Sequence, residues 1–362
     1  MGIKLGFGLY RHQLNRDSYR FARQCGATHL VVHLVDYTNA CQRRSSHGNQ
    51  PVGSRYGWGR TGDPRDPIWS AESLQRLNSD VEAEGLKIWA IENFDPSMWY
   101  DVLLDGPRKE EQMELLKQVI RSVGKAGIPV FGYNFSIAGV CGREEKSVAR
   151  GGATTVVMDG ADETPIPQGM VWNMQYVEES TQETIKAATH DELWRRLEWF
   201  LTQLVPVAEE AGVRLAAHPD DPPLPTMQNT PRLVYQPSMY QRLLDLVPCR
   251  CNALEYCLGT LAEMTEGDVY AFTDQYSRQG QLAYVHFRNV RGKVPHYQET
   301  FIDEGDLDMP RIVRILHNNG YDGVLVPDHT PLMTCNAPWH AGMAFAMGYM
   351  KALLGVVDQE SP

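Results

Sequence analysis

No Cys-x-x-Cys pair occurs in this sequence, although it carries seven cysteines. They are scattered as Cys25, Cys41, Cys141, Cys249, Cys251, Cys257 and Cys335. An odd number without a dense framework excludes a disulfide scaffold and a local zinc finger, and fits reduced thiols. Basic residues are also short: 34 Lys and Arg against 45 Asp and Glu leave a formal charge of −11. That balance argues against coating nucleic acid or docking on an anionic membrane. No stretch approaches the roughly 20 apolar residues that a membrane helix requires. The opening MGIKLGFGLYRHQ lacks the long hydrophobic region and cleavage site of a signal peptide. Gly at position 6 removes the myristoylation pattern. A cytoplasmic protein is the expectation. What is present is ordinary for a globular chain of 362 residues, with 43% hydrophobic and 22% charged residues.

Short apolar runs alternate with longer amphipathic ones. The apolar runs are 3–10, 28–34, 86–93, 128–135, 213–219, 252–257, 282–289 and 323–329. Several follow a helix-stop glycine, as in CGATHL, EGLKIW, AGIPVF and AGVRLA. Between them, 70–84, 109–126 and 191–211 carry helical periodicity, with Pro206 expected to bend the last. Eight strand–helix units predict a single α/β domain, a (β/α)8 barrel spanning 1–362. A doubly wound sheet is the competing arrangement, but no GxGxxG follows the first strand. Residues 37–69 and 136–189 form long connections after the second and fourth strands. In a barrel they lie on the catalytic face as lids or substrate loops, or else serve as oligomer contacts.

Barrel enzymes gather their chemistry at the C-terminal ends of strands. Here those ends are His33, Glu92 with Asn93, Asn134, His218, Cys257, His286, and Asp328 with His329. A lone strand-end histidine is ordinarily hydrogen-bonded packing, and PDHTP alone reads as a turn between prolines. The series on strands five to eight is different. His218, Cys257, His286 and Asp328 are two imidazoles, a thiol and a carboxylate, all ligands for a divalent transition metal. Adjacent strands would converge them over one side of the barrel mouth. His329, beside Asp328, is the candidate acid or base. Asp220 or Asp221 could orient a ligand histidine from outside. Arg288 shares a face with His286 and could clamp a substrate carboxylate. Glu92, His33 and Asn134 complete the expected substrate contacts.

The stretches GYNFSIAG, HPDDPP, LEYCLGTLAEM, VHFRNVRG and GYDGVLVPDH, in this order, resemble the mannonate dehydratase family. That resemblance implies a barrel of the xylose-isomerase type and dehydration of a sugar acid by α-proton removal and β-hydroxyl loss. It implies metal ligation by His218, Cys257, His286 and Asp328, and acid–base work by His329. Manganese is the metal implied; a thiolate ligand by itself favours softer ions such as Zn2+ or Fe2+. The substrate shell departs from the family pattern. Gly8 stands where an arginine is usual, and SIAGVCGRE replaces a Met-Pro segment while keeping Arg143. WHAGMAFAMG lacks the family's catalytic tyrosine, with His340 or Met343 at its place and His340 a substitute acid. A sugar isomerase or epimerase, or a lyase for an oxidised glycoside, is the alternative. A small-molecule carbohydrate is the expected partner, in a homo-oligomer.

Overall fold

The computed structural model describes residues 2–37, 52, 57–178 and 183–360. Cys41 and much of the first long connection lie outside the described residues. Eight parallel strands close into a barrel: β1 (Lys4–Tyr10), β2 (His29–His33), β3 (Lys87–Glu92), β4 (Val130–Tyr133), β5 (Arg214–Ala217), β6 (Asn252–Cys257), β7 (Leu282–His286) and β8 (Val324–Val326). Each neighbours the next in sequence, and β1 pairs with both β2 and β8. All eight expected apolar runs are strands. They are buried on both faces, which is why they read as near-continuous apolar runs.

The outer faces of the strands join the helices in one large core. The interior is a separate cluster of small and branched residues, including Val31, Ala90, Ala216, Ala253 and Val324. Helix boundaries follow their capping chemistry. Ser70 caps Ala71–Glu82 by accepting from the Ser73 amide, and Thr189 with Glu192 forms a capping box on His190–Ala211. That last helix runs unbroken through Pro206 to Gly212 in the left-handed conformation. Pro338–Glu360 is long and apolar enough to cross a membrane, contrary to expectation. It packs on β1 and on the helix Met309–Asn318, and Trp339, Met343, Met347 and Met350 along it are buried.

The long connection after β4 is not all loop. Glu144–Ala149 and Ala153–Asp159 join Val290–Lys293 and His296–Glu299 in a four-stranded antiparallel sheet. Its two halves come from connections after β4 and β7, so neither half displays its partner locally. The rest of the connection after β4 meets the described part of the connection after β2. Trp58 donates its backbone N–H to the Asn173 carbonyl at 2.6 Å, and Gln175 to that of Gly59 at 2.8 Å. Trp172 stacks on Tyr37 and meets Trp58 edge-on. The two connections thus roof the barrel mouth together.

Candidate active site

Strand register sets the site. Tyr10, His33 and Glu92 are neighbours across β1, β2 and β3, and Cys257 and His286 are neighbours across β6 and β7. A narrow cleft opens above them, bounded by Glu92, Asn134, His218, His286, Asp328 and His329, with Trp172 on its wall. Alternation along an extended strand would turn one of each adjacent pair away. The backbone avoids this at two strand ends. Asn93 and Asp328 adopt left-handed φ values of 69° and 59°, which Asn and Asp tolerate better than most residues. Glu92 with Asn93, and Asp328 with His329, therefore line the same cavity.

Donor atoms of His218, Cys257 and His286 lie within 4.8 Å of one another. His218 shares its Nδ1 hydrogen with the Pro219 carbonyl at 2.6 Å, leaving the Nε2 lone pair for the cluster. Nε2 of His286 sits 3.3 Å from Glu92 Oε2 and 3.4 Å from Glu255 Oε1. Its Nδ1 is buried without a hydrogen bond, 3.5 Å from Asp328 Oδ2. An orphaned imidazole nitrogen beside a thiol, a second imidazole and a carboxylate fits a cation better than it fits apolar packing. Cys257 also caps the helix Leu258–Glu263, its sulfur accepting from the Thr260 hydroxyl at 3.1 Å. Burial alone would push its thiol up, but Arg288, His218 and His286 outweigh burial and hold it well below the usual thiol range.

Asp328 stands beside this trio rather than inside it. It is held by Arg288, whose Nε donates to Oδ2 at 3.0 Å. Its carboxyl lies far below the ordinary range, since His286, His329 and Arg288 together overcome the opposing effect of burial. Inside the barrel, Glu92 and Glu255 are shifted in opposite directions. Burial raises both, but His33 and His286 pull Glu92 down to about 2, while Glu92 adds to burial in holding Glu255 well above the usual range. The Glu255 carboxylate is fully buried with neither oxygen hydrogen-bonded.

His329 donates from Nδ1 to Glu299 Oε1 at 3.0 Å, with its Nε2 3.5 Å from Asp328 Oδ1. Burial lowers its basicity, but Asp328 and Glu299 reverse that and raise it. His33 stacks on Tyr10 at 4.5 Å between centroids, 3.8 Å from Glu92 by its Nε2. Asn134 spends its Nδ2 on the Pro219 carbonyl, 3.0 Å away, and its Oδ1 is unpartnered.

Four expected roles do not survive the geometry. Arg288 is not a waiting clamp: Nη2 donates to Asp221 at 2.7 Å, Nη1 to Glu263 at 2.8 Å and Nε to Asp328. Asp220 orients no histidine. It accepts from Arg232 at 3.0 Å and from the Leu233 and Val234 amides, which pins the loop after β5. Asp221 likewise faces Arg143 and Arg288, and the hydrogen bond of His218 goes to a carbonyl instead. His340 is exposed and packs on Phe21 and Trp339, outside the cavity. The rotation of about 100° between consecutive helix residues carries it outward while Trp339 is buried.

Two functional-site residues were hidden from sequence reading. Glu255 lies mid-strand in NALEYC; two residues before Cys257, it had to share that side chain's face, and this alternation was its only signal. Glu299 arrives from the four-stranded sheet, whose pairing has no local signature.

Comparison with known proteins follows the same lines. The chain matches the D-mannonate dehydratase (UxuA) family over residues 47–359. It is 32% identical over 279 residues to a mannonate dehydratase of Streptococcus equi subsp. zooepidemicus, spanning 74% of this chain and 76% of the relative. The corresponding protein of Lactococcus lactis subsp. cremoris is 26% identical over 288 residues, at 74% and 80% coverage. Among solved structures, mannonate dehydratase from Streptococcus suis serotype 2 superposes with a TM-score of 0.77 at 25% identity, covering 99% of this chain and 95% of that one. An L-ribulose 3-epimerase shares the fold at a TM-score of 0.58 and 14% identity, covering 99% and 97%.

Proposed function

The chain belongs to the mannonate dehydratase family, and we propose that it is a metal-dependent carbon–oxygen lyase that dehydrates a sugar acid or a related carbohydrate. The observation that carries this reading is the convergence of His218, Cys257 and His286 within 4.8 Å at the mouth of a closed barrel. With Asp328 beside them, these residues would hold one divalent ion; manganese is the reading taken from the family. Such an ion, when bound, supplies Lewis acidity toward a substrate oxygen.

His329 is the proton-transfer group. Its Nδ1 is engaged by Glu299, and the ring lines the cavity, so Nε2, 3.5 Å from Asp328 Oδ1, is the nitrogen that would take the α-proton or protonate the departing hydroxyl. Asn134 and His33 offer unpartnered buried atoms, Oδ1 and Nδ1, for substrate hydroxyls. The aromatic roof of Trp172, Tyr37 and Trp58 limits access of water to the reacting carbon. Six cysteines among the described residues are free thiols, which supports a reducing, cytoplasmic setting.

Incubation with a panel of aldonates and oxidised glycosides, with assay for 2-keto-3-deoxy product and for bound metal, tests this reading. A dehydrated product from at least one sugar acid, dependent on metal, is the expected result. One observation favours a second reading, isomerisation or epimerisation: Glu255 places a second carboxylate against His286, as a carboxylate-rich sugar site would. Products that retain every hydroxyl would select it.

A further inference from the structure

The four-stranded sheet beside the barrel has no part in closing it, yet it delivers one side chain to the site. Glu299 ends the strand His296–Glu299, which pairs with Val290–Lys293 on one side and Ala153–Asp159 on the other. Its backbone carbonyl accepts from the Thr155 hydroxyl at 2.9 Å, tying the residue to the neighbouring strand. Its side chain is 3% exposed and faces two guanidinium groups, with Arg288 Nη1 at 3.4 Å and Arg143 Nη1 at 3.6 Å. The same oxygen, Oε1, lies 3.0 Å from Nδ1 of His329.

We propose that Glu299 is a positioning residue for the reaction, fixing the ring and tautomer of His329 so that Nε2 is presented to substrate. This inference rests on the proposed role of His329. An ionised carboxylate has no hydrogen to give, so the Nδ1 atom must be the donor. In the neutral ring the proton-accepting nitrogen is then Nε2. Arg143 and Arg288 bracket the carboxylate and hold it in the ionised, accepting form. The sheet follows from this role. A carboxylate on a free loop would leave the ring to rotate about χ2, whereas one at the end of a hydrogen-bonded strand is held on both sides. Because Arg143 immediately precedes Glu144–Ala149, the same sheet supplies a cationic bracket as well as the carboxylate.

Steady-state kinetics on the metal-loaded full chain test the proposal, with D-mannonate or whichever panel acid is dehydrated. Glu299→Ala is expected to lower kcat by about 100-fold with KM within about threefold, as loss of an oriented acid–base group does. Bound metal should stay at the wild-type level. Glu299→Gln, which keeps an accepting oxygen, should recover most of the lost turnover. In a His329→Asn background, Glu299→Ala should cost nothing further, because a residue acting through another loses its effect when that other is gone. Wild-type turnover in Glu299→Ala, or the same loss in both backgrounds, would overturn the inference. Absence of any dehydrated product from the wild type removes the lyase reading and this inference with it. An active wild type with an indifferent Glu299→Ala removes the inference alone.

Discussion

Arg288 donates its Nε hydrogen to Asp328 Oδ2 at 3.0 Å, linking the ends of β7 and β8. The arginine that strand alternation aims at substrate is instead consumed by the protein. It bridges Asp328 to Asp221, whose carboxyls its charge helps to hold below the usual range, and donates to Glu263, which burial and Asp221 hold well above it. It also sets the direction of Asp328, whose other oxygen lies toward His329.

Arg288→Met should therefore act on stability before it acts on substrate. Removing one partner of a buried ion network leaves uncompensated charge, at a cost of about 3–5 kcal/mol. Urea unfolding of the purified variant measures this. A variant of unchanged stability with a raised KM for a sugar acid would show that Arg288 holds substrate after all.

The proposed metal site makes a contrasting pair of predictions. Wild-type protein should carry about one divalent ion per chain, lost in His218→Ala and in Cys257→Ala, since binding needs deprotonated donors in one place. Asp220→Ala should keep the ion and lose stability, because its three hydrogen bonds run to Arg232, Leu233 and Val234 rather than to a ligand. Elemental analysis and thermal unfolding of the three variants separate the cases. Metal loss in Asp220→Ala at full stability would contradict the assignment.

Gly132 in β4 is a space requirement rather than a turn. A Cβ there would overlap the Tyr284 hydroxyl and the Glu255 carboxyl, which neighbouring strands β7 and β6 turn into the barrel interior. Gly132→Ala should destabilise the fold by about 1–3 kcal/mol, the usual cost of overpacking. It should also disturb His286, which both Glu255 and Glu92 contact. A melting temperature equal to wild type would mean that the interior has room the geometry does not show.

His29, at the foot of β2, gives a pH signature far from the site. Burial, with Lys4 and Lys87 adding to it, lowers its pKa from 6.5 to about 4. The unfolded chain therefore binds this proton first as pH falls, so the folded state loses stability between 6.5 and about 4. The contribution is fully present above that window and levels off below it. Comparing unfolding of wild type and His29→Gln across the window should show a shallower pH slope in the variant. Parallel slopes would refute the shift.

The barrel was legible because its signals are local. Each strand is a run of apolar residues buried on both faces, and each helix end carries a cap or a left-handed glycine within a few residues. The convergence of the strand-end series was legible for a related reason. Strand ends in a parallel barrel all reach one rim, so placing His218, Cys257, His286 and Asp328 at strand ends also places them near one another. The assignment weakened wherever two distant segments share a burden. Arg288 looks available until Asp221, Glu263 and Asp328 surround it. His340 is a candidate substitute acid by resemblance, yet its place in the helix turns it toward Phe21.

By itself, then, the sequence determined the architecture, the rim on which chemistry collects and the kinds of donor found there, because periodicity, caps and strand ends are properties of neighbouring residues. Tertiary structure decided which donors are spent and which remain. The pairing of 144–159 with 290–299, the arrival of Glu299 at His329, and the left-handed turn that brings Asp328 and His329 to one cavity depend on contacts across the chain. A hydrogen bond between residues 30 positions apart has no periodicity to betray it. Only the closed barrel, by fixing both ends of such a bond, makes it visible.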